Sequence, residues 1–167
     1  MDYLRFLKDT DIFYDMQQEH LKSIVRICKS VKFKRGDAIV RENAPSDALY
    51  IIVEGRVNII IDPGMVGPRN RRTSQPAGIV TLQPGQTFGE IGVVDQGLRS
   101  ASAQAASTPT HLLAIHRHDL VSLCESDYEL GYYLMRNIAT DLAFKIRNTD
   151  LMLRERLLWN SSPAQRS

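Results

Sequence analysis

FGEIGVVDQGLRSASAQA, from Phe88 to Ala105, is the stretch on which the reading of this chain turns. Gly85 just before it, and Gly89 and Gly92 within it, free the backbone to approach a ligand closely. Gly89-Glu90-Ile91-Gly92 reads as the start of a short helical turn, whose free N–H groups suit a phosphate. Glu90 supplies a carboxylate that only accepts hydrogen bonds. Arg99, nine residues on and just past a turn at Gly97, enters a strand and offers a planar cationic fork that matches phosphate oxygens. A ligand carrying both an anion and hydroxyl donors, such as a ribose phosphate, answers both groups.

Short β-rich runs separated by turns lie on either side of this stretch. Upstream are Val31–Lys34, Ala38–Arg41, Leu49–Val53, Val57–Ile61 and Ile79–Leu82, with Gly36-Asp37, Gly55 and Pro84-Gly85 between them. Downstream are Ser100–Ala106 and His111–Ile115. Strands this short, with a turn after each, indicate an all-β body. Helical periodicity brackets it, at Asp2–Lys8 and Met16–Lys29 before, and in a short helix from Asp119 after. Leu21, Ile24, Val25 and Cys28 form the apolar face expected of the second helix. Ser126-Asp127 can cap a last helix over about 129–159, since neither Pro nor Gly interrupts it between Gly131 and Pro163. Leu134, Ile138, Leu142, Thr149 and Leu153, with Ile146 beside them, make a near-heptad stripe that a second copy of the chain would cover. The predicted fold is therefore α+β, an all-β barrel or sandwich-like body flanked by N-terminal helices and a long C-terminal helix. One domain over 1–159 is expected, with a disordered tail at 160–167.

Composition narrows the function. Apolar residues are 43% and charged residues 24% of the 167, an ordinary globular balance. Twenty-one Lys and Arg against nineteen Asp and Glu leave +2, too little to argue for nucleic acid. Cys28 and Cys124 fall short of a disulfide framework and read as reduced thiols among apolar neighbours. The opening MDYLRFLKDTDIF is no signal peptide, and no apolar run approaches a membrane span, so a cytoplasmic protein is expected. The Asp62–Gly78 segment, with Arg69, Arg71 and Arg72, reads as a long solvated loop. His116 and His118 invite a metal-enzyme reading on a related barrel, but further ligands at matching positions are wanting, and His111 stands isolated, so these histidines read as surface groups. No nucleophile triad, Walker loop or dinucleotide fingerprint occurs.

Phe88, Gly89, Glu90, Gly92, Arg99, Ser100 and Ala101 together resemble the phosphate-binding cassette of the cyclic-nucleotide-binding domain family. Two further motifs agree: LYIIVEGRVNI (Leu49–Ile59) resembles the family's strand-Gly-strand signature, and KRGDAIVREN resembles its entry hairpin around Gly36. The resemblance covers about residues 10 to 158, and it implies that the β body is an antiparallel, jelly-roll-like β-roll. It implies that Glu90 accepts from a ribose 2′-hydroxyl and that Arg99 pairs with the cyclic phosphate. Ser100 would add a hydroxyl, and N–H groups near Ile91 and Gly92 would complete the cradle, with Ala101 following. Asn148 and Thr149 lie where the family presents base contacts from its long helix. Two departures stand out: Asn43 replaces a glycine in the entry hairpin, a residue that tolerates a left-handed turn, and the loop after Ile61 is longer than usual.

The function expected is a free-standing receptor for a cyclic mononucleotide, cAMP foremost and cGMP second, with no catalytic residue, metal or cofactor. Binding is expected to move the long helix, and the output to pass through a homodimer or a protein effector, without a membrane or direct DNA contact. Two alternatives are the sensory part of a catabolite-activator-type transcription regulator without its DNA-binding domain, and a degenerate domain that keeps the fold but binds nothing.

Overall fold

Ala48–Glu54 (ALYIIVE) and Thr110–His116 (THLLAIH) are buried at nearly every position, the pattern of strands covered on both faces. The computed structural model, which describes residues 2–61 and 77–160, shows what covers them. The strands are β1 (Cys28–Phe33), β2 (Ala38–Val40), β3 (Ala48–Glu54), β4 (Val57–Ile61), β5 (Ala77–Leu82), β6 (Thr87–Phe88), β7 (Ser102–Ala105) and β8 (Thr110–His116). They form two four-stranded sheets, β1-β8-β3-β6 and β2-β7-β4-β5, paired antiparallel throughout.

Helices α1 (Tyr3–Lys8), α2 (Gln18–Ile27), α4 (Arg117–Ser126) and the first half of α5 (Tyr128–Asn160) pack on the outer face of the first sheet. Odd-numbered residues of β3 and β8, Leu49, Ile51, Leu113 and Ile115, meet Leu7, Phe13, Ile24 and Leu134 there. Even-numbered Ile52 and Leu112 turn the other way and meet Val57, Leu82, Phe88 and Ala103 between the sheets. Each such burial stabilises the fold by roughly 1.5–3 kcal/mol. The architecture is the α+β β-roll with a long C-terminal helix that the sequence predicts.

Several boundaries differ. The second helix was expected over Met16–Lys29, but α2 stops at Ile27, and Cys28 and Lys29 pair with Ile115 and Ala114 as the start of β1. Cys28 still packs on the same core, so its apolar spacing is genuine although its backbone is extended. Strand pairing across the chain decided the conformation, which local periodicity does not register. Lys29 and Lys32 are exposed along this edge strand, a common way to keep an edge from pairing with another chain.

The expected strand at Ser100 begins only at Ser102, while β6 has two residues, too few to show any period. Asn43 is left-handed at φ +63°, as its side chain allows. The Asp127 carboxylate accepts from the Leu130 N–H at 3.0 Å and caps α5, as predicted. The run of residues 62–76, with Arg69, Arg71 and Arg72, and the tail from 161 lie outside the described residues.

Two corrections concern the last helix and a histidine. Leu134 and Ile138, from the stripe expected to need a second chain, are buried in this chain's own core, and Leu142 packs against it. Ile146 and Leu153 remain exposed. His111 is buried rather than at the surface: its Nε2 lies 2.8 Å from Ser30 Oγ and 3.4 Å from Tyr3 Oη, under α1. Burial, with help from Lys32, holds its pKa below the usual histidine value.

Candidate functional site

The six-residue helix α3 (Glu90–Asp95) starts where β6 leaves the first sheet. Its first residue follows Gly89, which sits at φ +88°, a conformation costly for any side chain. A Cβ at Gly89 would also collide with Arg99 Nη1 and the Ala48 carbonyl. Gly92 is needed for a different reason, because Ser46 packs where its Cβ would stand. The backbone of the turn is thus pressed against Arg99 on one side and the β2–β3 loop on the other.

Glu90 and Arg99 are buried charges, 4% and 5% exposed. Arg99 is held from the rear: its Nη2 donates to the Ala48 carbonyl at 2.9 Å and to Asp47 Oδ1 at 3.3 Å, and its guanidinium lies 5.6 Å from the Tyr50 ring centre. Its backbone is fixed as well, with Arg99 N–H donating to the Ala44 carbonyl and Asn43 N–H to the Arg99 carbonyl. Nε and Nη1 have no partner among the described residues, and neither does Glu90 Oε2. A buried cation with two free donors beside a buried carboxylate with a free acceptor is an expensive arrangement unless something completes it.

The other Glu90 oxygen is engaged by a residue the sequence reading did not single out. Lys145, on α5, donates from Nζ to Glu90 Oε1 at 2.9 Å and to the Thr87 carbonyl at 3.2 Å, and lies 2.7 Å from Asp141 Oδ2. Burial works against the Lys145 ammonium, but Glu90 and Asp141 outweigh it and raise its pKa above the ordinary lysine value. Lys145 stands one helical turn before Thr149, so helix spacing back from Thr149 was the signal available for it.

These groups share one cavity of about 680 Å³, within the usual range for a small-molecule site. All nine residues singled out from the sequence line it: Gly89, Glu90, Ile91, Gly92, Arg99, Ser100 and Ala101 from the roll, and Asn148 and Thr149 from α5. Ser100 and Thr149 are exposed, and the Thr149 hydroxyl donates to the Lys145 carbonyl at 2.9 Å. Val40, Ile59, Leu82 and Ala103 supply an apolar floor, and Phe144, Leu151 and Met152 of α5 an apolar roof. The arrangement can take a ligand with an anion for Arg99, a hydroxyl for Glu90 and a flat apolar body between floor and roof. His116 and His118 are not part of it, and among the described residues no three His, Cys, Asp or Glu side chains are placed to hold a metal.

The family model described as "Cyclic nucleotide-binding domain" matches residues 30–127, more than half of the chain. The cyclic AMP receptor protein of Thermus thermophilus is 28% identical over 147 residues, covering 88% of this chain and 62% of that protein. The cGMP-dependent protein kinase 2 of Mus musculus is 26% identical over 139 residues, 83% of this chain and 17% of the kinase. The chain therefore spans about three-fifths of the first relative's length and a small part of the second's. Among solved structures, the Thermus thermophilus catabolite activator protein superposes with a TM-score of 0.72 at 27% identity, over 87% of this chain and 62% of that one. A cyclic nucleotide-binding domain from Methylobacillus flagellatus superposes at 0.73 with 24% identity, over 92% and 82%, a likeness of fold.

Proposed function

The chain belongs to the cyclic nucleotide-binding domain family, and from that premise we propose that residues 1–159 act as a single receptor domain for a cyclic mononucleotide, cAMP foremost and cGMP second. The observation that carries this reading is the pair of incomplete buried charges in one cavity: among the described residues, Arg99 Nε and Nη1 and Glu90 Oε2 have no partner. In this reading Arg99 pairs with the cyclic phosphate and Glu90 accepts from the ribose 2′-hydroxyl. Backbone N–H groups at Ile91 and Gly92 and the Ser100 hydroxyl add to the phosphate cradle, with Ala101 beside it. The base lies between floor and roof, where Asn148 and Thr149 meet its edge.

The proposed output is mechanical. No bond is made or broken; the domain is a regulator, and α5 is its moving part. A ribose hydroxyl arriving at Glu90 meets the carboxylate that Lys145 holds, so the ligand and α5 act on the same side chain. Ligand contacts made in one helix position and not in another bias the two, and only such differential contacts can. Ile146 and Leu153, seven residues apart, are exposed and line no part of the cavity, which supports a homodimer through α5. The two free cysteines suit a reducing compartment, in keeping with a cytoplasmic receptor. No helix among the described residues is long and apolar enough to cross a membrane.

A second reading, the sensory part of a catabolite-activator-type transcription regulator, draws on the Thermus relative, of which this chain spans 62%. Calorimetric titration with cAMP and cGMP side by side tests the receptor function common to both readings. Saturable binding of either nucleotide with one site per chain is expected. Heat of dilution alone for both, at millimolar nucleotide, would leave the degenerate-domain alternative.

A further inference from the structure

Arg99 lies between two cavities. One is the nucleotide cavity; the other, about 390 Å³, is lined by β2, the loop from Ala44 to Asp47, Tyr50 and Arg99 itself. Tyr50 reaches Arg99 from this second side, since it lines the smaller cavity and not the larger. Its ring is stacked on Phe88, 5.0 Å between centres and 13° between planes, and the two residues are register partners of β3 and β6. Phe88 in turn is buried in the core between the sheets and directly precedes Gly89. Guanidinium, Tyr50 and Phe88 are thus linked in one chain of contacts, anchored in the roll and ending at the turn that lies against Arg99 Nη1.

We propose that Tyr50 is a positioning residue: its ring face, braced by Phe88, fixes the plane of the Arg99 guanidinium so that Nε and Nη1 stay presented to an anion. Among the described residues, the hydrogen bonds of that side chain all fall on one atom. Nη2 holds the Ala48 carbonyl and the Asp47 carboxylate, whose side chain is 70% exposed and screened by water. Bonds through a single nitrogen leave the fork free to swing about it, whereas a ring face constrains the whole plane. What matters is the ring face and not the phenol hydroxyl, so phenylalanine serves in its place and an aliphatic residue does not.

The inference takes its ligand from the receptor function proposed above, and its test has one arm that needs no ligand. The Nε–H signal of Arg99, assigned in nitrogen-15 spectra by its loss in Arg99→Gln, should exchange slowly in the wild type and in Tyr50→Phe. It should exchange rapidly in Tyr50→Ile, whose β-branched side chain suits the strand. The second arm is cAMP affinity, which should fall on the order of tenfold in Tyr50→Ile and within about twofold of wild type in Tyr50→Phe. In an Arg99→Gln background, Tyr50→Ile should change affinity little, because the group it positions is gone. Thermal melts show whether Tyr50→Ile is folded, and Tyr50→Leu replaces it if it is not.

Slow exchange retained in the folded aliphatic variant would overturn the proposal. So would an equal affinity loss with and without the Arg99 guanidinium, the mark of a merely structural role. Absence of nucleotide binding in the wild type would sink the receptor function instead, while the exchange arm would still decide whether Tyr50 holds Arg99.

Discussion

Glu90 and Arg99 were readable as a pair because glycines and charges recur there at fixed spacing, but what surrounds them was not. Asp47, Tyr50 and Lys145 reach the pair from 49 to 55 residues away, through sheet register and helix packing that local spacing does not encode. Removing the charge of Glu90 in Glu90→Gln weakens one charged hydrogen bond, worth about 1.5–3 kcal/mol of cAMP affinity. A 2′-deoxy nucleotide, which lacks the hydroxyl, should be far less sensitive to the same change, and calorimetry with both ligands on both proteins measures the difference. Equal losses for the two ligands would place the ribose elsewhere. Burial also pushes the Cys28 thiol up to about 12, from 9.0. The folded state therefore keeps its proton where the unfolded chain loses it, so this contribution to stability is whole below pH 9 and fades as pH rises towards 12. Thermal melts from pH 7 to 11 should show wild type losing more stability above pH 9 than Cys28→Ala, and native Cys28 should resist alkylation at pH 8. Parallel pH curves for the two proteins would count against a buried neutral thiol.

At the scale of elements, β3 and β8 were legible as short strands, but their cover on both faces, by helices and by a second sheet, depends on partners far along the chain. The end of α2 and the start of β7 were misjudged because long-range partners set them, β8 in the first case and, in the second, the backbone bonds of Arg99 to Asn43 and Ala44. Helix α5, about 50 Å long at 1.5 Å per residue, was legible in extent but not in what each half does. Its first half is anchored by Leu134, Ile138 and Asn137, whose Nδ2 donates to the Ile12 and Tyr14 carbonyls at 3.2 and 2.7 Å. Beyond Leu142, Lys145 is the polar tie to the roll among the described residues. Hydrogen exchange across residues 119–158 should therefore show a protected first half and a labile second half without ligand. Saturating cAMP should protect the second half in wild type and less so in Thr149→Ala. Protection confined to the roll would show binding without switching, and undiminished helix protection in Thr149→Ala would clear Thr149 of its part.

The whole molecule is a roll with an incomplete pair of charges under a helix whose far half has Lys145 as its polar tie to the roll among the described residues. Phe144, Ile146, Leu151, Leu153 and Leu158 are all more than half exposed on that half, so an apolar surface remains for something to cover. Ile146 and Leu153 keep the heptad interval that pairs helices. Light scattering on the purified chain should give the mass of a dimer at tens of micromolar, and Ile146→Glu with Leu153→Glu should give a monomer that keeps its nucleotide affinity. A wild-type monomer at high micromolar concentration, with and without nucleotide, would rule the dimer out. None of this has meaning unless the cavity takes an anionic nucleotide through Arg99, and one comparison addresses that directly: calorimetric titration of cAMP into wild type and Arg99→Ala, with far-ultraviolet dichroism to show both are folded. We expect wild type to bind and the variant to lose roughly 2–4 kcal/mol of binding free energy, as when one partner of a buried charge-assisted pair is truncated. Equal affinity in the two folded proteins would contradict the assignment of Arg99 as the phosphate's partner.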